Sequence, residues 1–294
     1  MKRRTPLLGS PTSSPERTAR HLFDAWPEVA RRFASAPRLA LFTDFDGTLT
    51  AIRRHASSVR LSDAVRLLLA ALARRGHLIG VVSGRGLDDV RSRVGVPGLW
   101  YVGAHGFLIR TPDRHTVVLV NPAQQRLIAR IARRIGRQVR NWRGIEIERK
   151  VATIAVHHRR ASPTHERLAH DVVRAEVGAE PGVRLITGKK VWEVLPAAPV
   201  DKYRAVRFIL RSERQSHGAN SRLAVYVGDD VADEAVFARL RGVTISVGRS
   251  HNTLATYFVR SPAEVQELLS RLDRGTPWTT RTRRSASSQR RISS

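Results

Sequence analysis

The stretch LALFTDFDGTLT, residues 39–50, decides the fold, because an apolar run ends there abruptly in two aspartates, a glycine and a hydroxyl. The apolar residues Leu39–Phe42 predict a buried strand. Asp44 and Asp46 follow at its carboxyl end, the edge where open α/β sheets bind ligands. Side chains at i and i+2 of an extended chain point the same way, so both carboxylates are expected to face one pocket. Paired carboxylates there hold a divalent cation or divide nucleophilic and acid–base work.

A strand followed by an ordinary Asp-Gly turn is the alternative interpretation of this stretch. Gly47 lets the chain turn sharply in either case. A lone Asp-Gly pair would favour the plain turn, whereas the complete string over residues 44–49 favours a chemical role.

The next predicted strand, Leu78–Val82, also ends in polar residues, Ser83-Gly84-Arg85. The Ser83 hydroxyl and the backbone amides freed by Gly84 could donate to a phosphate oxygen. Alternatively, Ser83 caps a helix predicted over Leu87–Val94. The sequence leaves both interpretations open.

A buried strand predicted over Leu223–Val227 ends in a second acidic terminus, Gly228-Asp229-Asp230, with Asp233 soon after. Two acidic strand ends separated by nearly the whole chain make sense if they meet across a sheet to bind one hard cation. Mg²⁺ suits this role, because it uses a few carboxylates, keeps waters and accepts substrate phosphate oxygens. Asp44 and Asp229 are the expected side-chain ligands.

Two further polar residues follow predicted core elements. A short strand over Trp100–Val102 runs into Gly103-Ala104-His105-Gly106, where His105 is either a turn residue or lies close to a ligand or a neighbouring domain. Asp201 suits the N-cap of a helix predicted to run to Leu210. Lys202, next to it, is on its own typical of a solvated helix lysine.

Composition bounds the class of protein. The chain has 294 residues with 41% apolar content, enough for one large core or two modest ones. Cysteine is absent, which excludes disulfides, thiolate catalysis and cysteine metal sites. The first residues lack the continuous apolar segment of a secretory signal, and no run approaches the length of a membrane span. We therefore expect a cytoplasmic protein with no membrane partner.

The formal charge of +27 raises the question of nucleic acid, because basic faces release phosphate counterions on binding. The arginines are spread along the whole chain, without a recognisable nucleic-acid motif or the interleaved aromatics of a single-strand platform. Anionic substrates also benefit from positive potential. A nucleic-acid partner is therefore not favoured, and a small anionic substrate is.

The pattern of elements changes between about residues 107 and 191, where two passages of strands followed by a helix occur. Structureless connections of this length are uncommon, so we predict an inserted α/β cap domain within a doubly wound α/β core that has a parallel sheet. The predicted limits are a disordered tail over 1–20, core over 21–107, cap over 108–190, core over 191–272, and a basic disordered tail over 273–294.

The string over residues 44–49 resembles the first motif of the haloacid-dehalogenase superfamily of aspartate-nucleophile phosphatases, and the partner motifs follow in the required order. The resemblance implies a haloacid-dehalogenase-like core. It also implies that Asp44 attacks phosphorus, and that Asp46 is the general acid/base and lends its backbone carbonyl to the metal. Ser83 and Lys202 would bind the phosphate. Asp233 would be a supporting carboxylate of the metal site.

Within the superfamily, the chain is similar to the trehalose-6-phosphate phosphatase family from about Leu39 to Leu269. The matching strings lie at residues 83–85, 103–106, 147–150, 156–159, 188–194 and 228–230. In that family the cap's Glu-x-Lys and a later glutamate look like sugar-binding elements, and the matching residues here are Glu148, Lys150 and Glu193. Arg85 and His105 complete the expected substrate-binding set. The alternative for Glu148, Lys150 and Glu193 is surface charge on strands.

Three departures from the family pattern affect the shape of the site more than its chemistry. Tyr203 stands where the family usually has glycine, Ala232 replaces a usual threonine, and the usual proline is missing around Ala51-Ile52. The resemblance implies Mg²⁺-dependent hydrolysis of trehalose 6-phosphate to trehalose and phosphate through an aspartyl-phosphate. The rivals are a capped phosphatase acting on another sugar phosphate, such as sucrose phosphate, and a basic non-catalytic binding protein on the same fold.

Overall fold

The computed structural model describes residues 18–52, 59–188, 190–197, 201–217, 222–249 and 252–275. The strands are β1 Arg20–His21, β2 Arg38–Thr43, β3 Leu78–Val82, β4 Trp100–Gly103, β5 Leu108–Arg110, β6 Thr116–Val118, β7 Glu146–Arg149, β8 Ile154–His157, β9 Val183–Gly188, β10 Val191–Pro196, β11 Arg222–Gly228, β12 Val243–Val247 and β13 Tyr257–Val259. The helices are α1 Trp26–Ser35, α2 Asp63–Arg74, α3 Leu87–Val94, α4 Pro122–Val139, α5 Pro163–Gly178, α6 Lys202–His217, α7 Val231–Phe237 and α8 Pro262–Arg274, and a short 3₁₀ turn covers Ala104–Gly106.

The core is a nine-stranded sheet in the order β1-β13-β12-β11-β2-β3-β4-β5-β6. All neighbouring pairs from β1 to β4 are parallel, and only β5 and β6 at one edge run antiparallel. Strand β2 lies between β11 and β3, so the carboxyl ends of these three strands meet at one edge of the sheet. That edge carries the polar residues that the sequence places after each strand.

The alternation of β2 explains why helices cover both faces of this sheet. Leu39 and Leu41 pack with apolar residues of α2 and α8, whereas Ala40 and Phe42 pack with those of α6 and α7. A strand that is buried on both faces needs the continuous apolar run seen here. The predicted doubly wound core is confirmed. By the same alternation, Asp44 continues the face of Phe42 and points towards the start of α6.

The inserted cap has its own antiparallel sheet, in the order β7-β8-β10-β9, with α4 and α5 packed on one face. Helix α4 starts with a capping box formed by Asn121 and Gln124, with proline in its first turn. Its residues Ile131 and Ile135 are fully buried against the cap sheet. The cap therefore has a separate apolar core.

The predicted limits of the cap were wrong at both ends. Strands β5 and β6 were expected in the cap, but they extend the core sheet as a hairpin that pairs with β4. Strand β10 was expected in the core, but it pairs with β8 and β9 in the cap. Its Trp192 and Val194 are buried in the cap's apolar cluster. The chain therefore passes into the cap after β6 and leaves it after β10.

The two predicted tails, 1–20 and 273–294, lie mostly outside the described residues. Where they are described, they are regular: Arg20 begins β1, and α8 continues to Arg274. Strands β1 and β13 and helix α7 were not predicted. None of the helices in the described ranges combines the length and apolar character needed to span a membrane.

Candidate active site

Three neighbouring strand ends build the site. Asp44 follows β2, Ser83 follows β3, and Asp229 follows β11, and these strands are hydrogen-bonded neighbours in the sheet. The backbone amide of Asp44 donates to the carbonyl of Val227 at 2.8 Å. This hydrogen bond holds the acidic ends of β2 and β11 side by side. The prediction that the distant acidic ends meet across a sheet is therefore confirmed.

Lys202 joins two buried carboxylates. Its ammonium group donates to Oδ2 of Asp44 and to Oδ1 of Asp233, each at 2.8 Å. All three side chains are at least nine-tenths buried. Lys202 is therefore not the solvated helix lysine of the alternative interpretation, because α6 begins at this residue and directs it into the site. Asp201 caps the helix by accepting from the amide of Arg204 at 2.8 Å.

Burial and the neighbouring charges shift the pKa values of these groups. Burial raises the pKa of Asp44 to about 7, although the Lys202 ammonium opposes this rise and the charge of Asp233 adds to it. Burial lowers the pKa of Lys202, but the charges of Asp44 and Asp233 outweigh it and raise the pKa above its ordinary value. Lys202 therefore remains a cation throughout the accessible pH range.

Asp233 is fixed by three donors. Besides Lys202, its Oδ1 accepts from the hydroxyl of Tyr226 at 2.6 Å, and its Oδ2 accepts from the amide of Asp230 at 2.9 Å. Asp230 and Asp233 form the capping box of α7. Burial and the charge of Asp233 raise the pKa of Tyr226 well above its ordinary value, so the phenol stays a donor.

Asp229 lies over the turn that follows β2. Its Oδ1 accepts from the hydroxyl of Thr48 at 3.0 Å. Gly47 has a φ of +75°, and a Cβ there would lie 1.9 Å from Oδ2 of Asp229. Only glycine therefore fits between the two acidic strand ends. Burial raises the pKa of Asp229 to about 6, since the charge of Asp233 adds to it while the Thr48 hydrogen bond opposes it.

The acidic cluster fits a divalent cation. Asp44, Asp229 and Asp233 each offer an oxygen, and these atoms lie within 4.8 Å of one another. Three carboxylates face the single ammonium group of Lys202, so the site carries an excess of negative charge when all are ionised. Oxygen-only ligands of this charge are those that Mg²⁺ prefers. Residues Asp44, Asp229 and Asp233 could hold the ion.

Asp46 lies apart from this cluster. Strand β2 ends at Thr43, so the rule that places i and i+2 on one side no longer applies at Asp46. Its carboxylate instead forms a two-point ion pair with Arg85, at 2.5 Å from Nε and 2.7 Å from the second nitrogen. The side chain of Asp46 is therefore held by Arg85 and is not part of the cluster formed by Asp44, Asp229 and Asp233.

Arg85 is positioned from the other side by α3. It donates to Asp89 at 3.0 Å, and Asp89 also accepts from Arg93 at 2.7 Å. Arg93 in turn donates to the carbonyl of Val59 at 2.7 Å. Ser83 is buried, and its Oγ accepts from the amide of Arg85 at 3.1 Å. The N-cap of α3 is Gly86, so Ser83 does not cap this helix.

The cap reaches the core through Glu193. Its carboxylate accepts from Nε2 of His105 at 2.8 Å and from the ammonium of Lys150 at 3.4 Å. Burial raises the pKa of Glu193, but His105 and Lys150 outweigh this effect and lower it. His105 has the left-handed values φ 58° and ψ 23°. A histidine held there is a strained feature of the kind found at functional sites.

The turn that carries His105 is packed against the start of α6. A Cβ at Gly106, whose φ is +105°, would lie 2.6 Å from the carbonyl oxygen of Asp201. Glu148 lies one step further out, half exposed, 3.8 Å from Lys150 and 3.1 Å from Nε2 of His157. The structure thus brings His105, Lys150 and Glu193 together, with Glu148 at their edge.

Sequence reasoning missed three residues of the site, namely Thr48, Asp89 and Tyr226. Thr48 follows Gly47 directly, and the sequence pattern assigns no role to its hydroxyl. The roles of Asp89 and Tyr226 require the three-dimensional structure. Asp89 contacts Arg85, and Tyr226 contacts Asp233 beyond the end of its own strand. Tyr203 is one of the residues that depart from the family pattern. The guanidinium of Arg239 lies over its ring, 4.4 Å from the ring centre, and Lys202 keeps its contacts with Asp44 and Asp233.

A protein-family model for trehalose-phosphatase matches residues 42–263, which include every site residue described above. The chain belongs to the trehalose-phosphatase family. The trehalose-phosphate phosphatase of Mycobacterium avium is 35% identical over 243 residues, covering 79% of this chain and 61% of that protein. The chain thus spans less than two thirds of that relative's length.

Solved structures show the same fold at lower identity. The C-terminal domain of Candida albicans trehalose-6-phosphate phosphatase aligns with a TM-score of 0.63 and 22% identity, over 88% of this chain and 99% of that one. A haloacid dehalogenase-like hydrolase from Bacteroides thetaiotaomicron aligns with a TM-score of 0.60 and 13% identity, over 80% and 99% of the two chains. This member of the trehalose-phosphatase family therefore has the predicted haloacid-dehalogenase-like core.

Proposed function

We propose that this chain is a Mg²⁺-dependent phosphatase that hydrolyses trehalose 6-phosphate to trehalose and inorganic phosphate through a phosphorylated Asp44. The observation that carries the proposal is the arrangement of Asp44, which lies at a strand end with Lys202 bound to one oxygen and two further carboxylates beside it. The ammonium of Lys202 supplies positive charge, which a nucleophilic carboxylate requires because it has to approach a phosphate dianion.

In the first step, an oxygen of Asp44 forms a bond to phosphorus as the bond to the sugar oxygen breaks. Asp46 gives its proton to the leaving sugar oxygen, which departs as a neutral hydroxyl. In the second step, Asp46 removes a proton from water, whose oxygen attacks phosphorus and releases Asp44 and phosphate. Mg²⁺, held by Asp44, Asp229 and Asp233, would neutralise phosphate charge when bound.

Arg85 links substrate binding to the state of Asp46. In this structure Arg85 donates to both carboxylate oxygens of Asp46, so neither oxygen is free to exchange a proton with substrate. The phosphate of an incoming substrate offers the guanidinium another anion with matching geometry. Transfer of Arg85 from Asp46 to the phosphate would free Asp46 to carry the proton. Ser83, buried beside Arg85, would donate its hydroxyl hydrogen to the same phosphate.

The sugar would be read by residues of the cap. His105, Lys150 and Glu193 already form one polar group between cap and core. Sugar hydroxyls could replace these mutual contacts, since a carboxylate accepts from two hydroxyls and an ammonium donates to them. Glu148, half exposed beside Lys150, would add a contact at the edge.

Two rival functions remain for the same site. A related capped phosphatase could act on another sugar phosphate, such as sucrose phosphate, and a basic protein of this fold could bind a partner without turnover. Phosphate release from a panel of sugar phosphates, with and without Mg²⁺, tests all three. We expect rapid, Mg²⁺-dependent release from trehalose 6-phosphate alone; a preference for another sugar phosphate, or no release from any, would contradict the proposal.

A further inference from the structure

Helix α4 of the cap lies in a segment with an unusual charge. No aspartate or glutamate occurs between Asp113 and Glu146, whereas eight arginines fall within residues 114–145. Within the folded core and cap, this segment therefore carries a run of basic residues without acidic residues between them. Such a local asymmetry requires a physical explanation, because like charges spaced along a helix repel one another.

Five of these arginines form one row. Arg126, Arg130, Arg133, Arg137 and Arg140 alternate in steps of four and three residues, and all are exposed. A rotation of about 100° per residue places them within an arc of about 80°. The row runs about 21 Å along the helix at a rise of about 1.5 Å per residue. We call it the α4 arginine row.

The α4 arginine row faces away from the catalytic site. The buried face of α4 packs on the cap-sheet face that carries Trp192 and Val194. Glu193, between them on β10, points to the opposite face and reaches His105. An anion on the row would therefore leave the active site open.

Carboxylates do not neutralise the row. Glu176 of α5 and Glu180, just after this helix, bind Arg134, which lies to one side of the row, at 2.5 and 2.9 Å. Of the row itself, Glu180 contacts one member, Arg130, at 3.8 Å. Within the described part of the chain, the other four members of the row have no ion-pair partner. Since repulsion between neighbouring arginines costs about 0.2–0.5 kcal/mol per pair, the row does not serve the stability of the helix.

We propose that the α4 arginine row binds the phosphate backbone of a double-helical nucleic acid. A straight row of guanidinium groups with a mean axial spacing of about 5 Å complements a linear array of phosphates. Arg149 adds a further guanidinium beside the row, 3.4 Å from the position of a Cβ on Gly136. This binding is independent of base sequence, because it engages phosphates alone.

Two other polyanions fit the row less well. A membrane-binding helix inserts an apolar face, but the apolar face of α4 is buried in the cap. Single strands are held by exposed aromatic side chains, whereas Trp142, just beyond the row, is stacked on His165. Charge and shape together favour the duplex.

The test is the salt dependence of binding to a labelled duplex DNA of arbitrary sequence, measured by fluorescence anisotropy on the full chain. Five phosphate contacts predict a slope of log affinity against log salt of about −4.5 from the row. The triple variant Arg133→Gln, Arg137→Gln and Arg140→Gln should reduce the steepness of the slope by about 2.7. Between 50 and 200 mM salt, the row's part of the affinity should then fall about tenfold instead of about 500-fold.

The matched control removes the same charge from the core. Arg207, Arg211 and Arg214 are exposed on α6 at the same spacing, and their change to Gln should leave the slope nearly unchanged. The arginine-rich chain ends are common to all three proteins, and phosphatase turnover reports correct folding. Equal loss in both variants, or no duplex binding by the parent protein at 150 mM salt, would overturn the proposal. Tighter row-dependent binding to anionic vesicles than to duplex would instead assign the row to a membrane.

Discussion

Arg85 donates to both carboxylate oxygens of Asp46, at 2.5 and 2.7 Å, and thereby holds the side chain of the proposed general acid in place. The pair is only partly exposed, and Asp89 supports Arg85 from behind. This relationship separates the two aspartates of the opening string by function. Asp44 is bound by Lys202 inside the acidic cluster, and Asp46 is bound by Arg85 outside it.

Asp46→Asn should slow turnover of trehalose 6-phosphate by about 10²–10⁴-fold, because the leaving oxygen is not protonated and water is not activated. An aryl phosphate has a leaving group that needs no proton, so phosphorylation of Asp44 should persist and hydrolysis should stall. We expect a burst of one nitrophenol per enzyme from p-nitrophenyl phosphate. Asp88→Asn, an exposed carboxylate on α3, is the control. A slow reaction without a burst would remove Asp46 from the second step.

Mg²⁺ should raise the melting temperature of the parent protein, because three crowded carboxylates gain a counterion only in the folded state. At a hundredfold excess over the dissociation constant, the gain is about 2.7 kcal/mol. Asp229→Asn should abolish most of this gain. It should also leave the metal-free protein equally or more stable, because one buried negative charge is removed.

Asp230→Asn is the matched control for the metal experiment. Asp230 caps α7, and asparagine caps a helix equally well. This variant should keep the Mg²⁺-dependent rise in melting temperature. A rise that is unchanged in Asp229→Asn, or lost in Asp230→Asn, would contradict the assignment of Asp229 as a ligand.

The cap residues Lys150 and Glu193 should determine the specificity of the enzyme for the sugar. Loss of one sugar contact leaves buried hydroxyls unpaired at a cost of about 1–3 kcal/mol. Glu193→Gln and Lys150→Ala should therefore lower kcat/KM for trehalose 6-phosphate by about tenfold to a hundredfold. Turnover of p-nitrophenyl phosphate, which has no sugar, should barely change. An equal decrease in kcat/KM for both substrates would mean that these residues support the core, and that the cap does not determine sugar specificity.

His77 should make stability depend on pH. Its Nδ1 accepts from the amide of Leu39 at 3.1 Å, so the ring is neutral there. Burial lowers the pKa of His77 to about 4, and the charges of Arg222, Arg38 and Arg75 add to the effect. Between about pH 6.5 and pH 4 the unfolded chain binds a proton that the folded chain excludes. The stabilisation is therefore complete above about pH 6.5 and is lost as the pH falls.

The full loss from this group is about 3 kcal/mol of the free energy of unfolding. His77→Asn keeps an acceptor in place of Nδ1 but does not titrate. Urea unfolding of both proteins at pH 7.5 and pH 4.5 should show a smaller decrease for the variant, while other groups titrate equally in both. Parallel decreases in the two proteins would contradict the role of His77.

The local pattern of the sequence predicted the elements around the site well. The predicted bounds of β3 and α3 agree with the structure. Apolar runs, caps and glycine turns are local signals, and they placed Asp44, Ser83, Lys202 and Asp229 at the ends of their elements. Their meeting followed from one topological rule, that parallel strands end at the same edge.

The failures have a different physical origin. The alternation of β10 suits either sheet, and only its long-range pairing with β8 and β9 places it in the cap. Asp46 departed from the strand rule because the strand ends three residues earlier, at Thr43. Helix α7 was hidden in an acidic run, although Asp230 and Asp233 at a spacing of three are themselves a capping signal.

The most direct test of the central claim is rapid acid quench of the enzyme with trehalose 6-phosphate labelled at phosphorus. We predict that label appears on the protein before free phosphate, that the adduct at Asp44 is released by hydroxylamine as an acyl phosphate, and that unlabelled substrate chases it into phosphate. Asp44→Asn should fold but show neither label nor turnover. Free phosphate formed by the parent protein without labelled protein, or turnover retained by Asp44→Asn, would contradict the account.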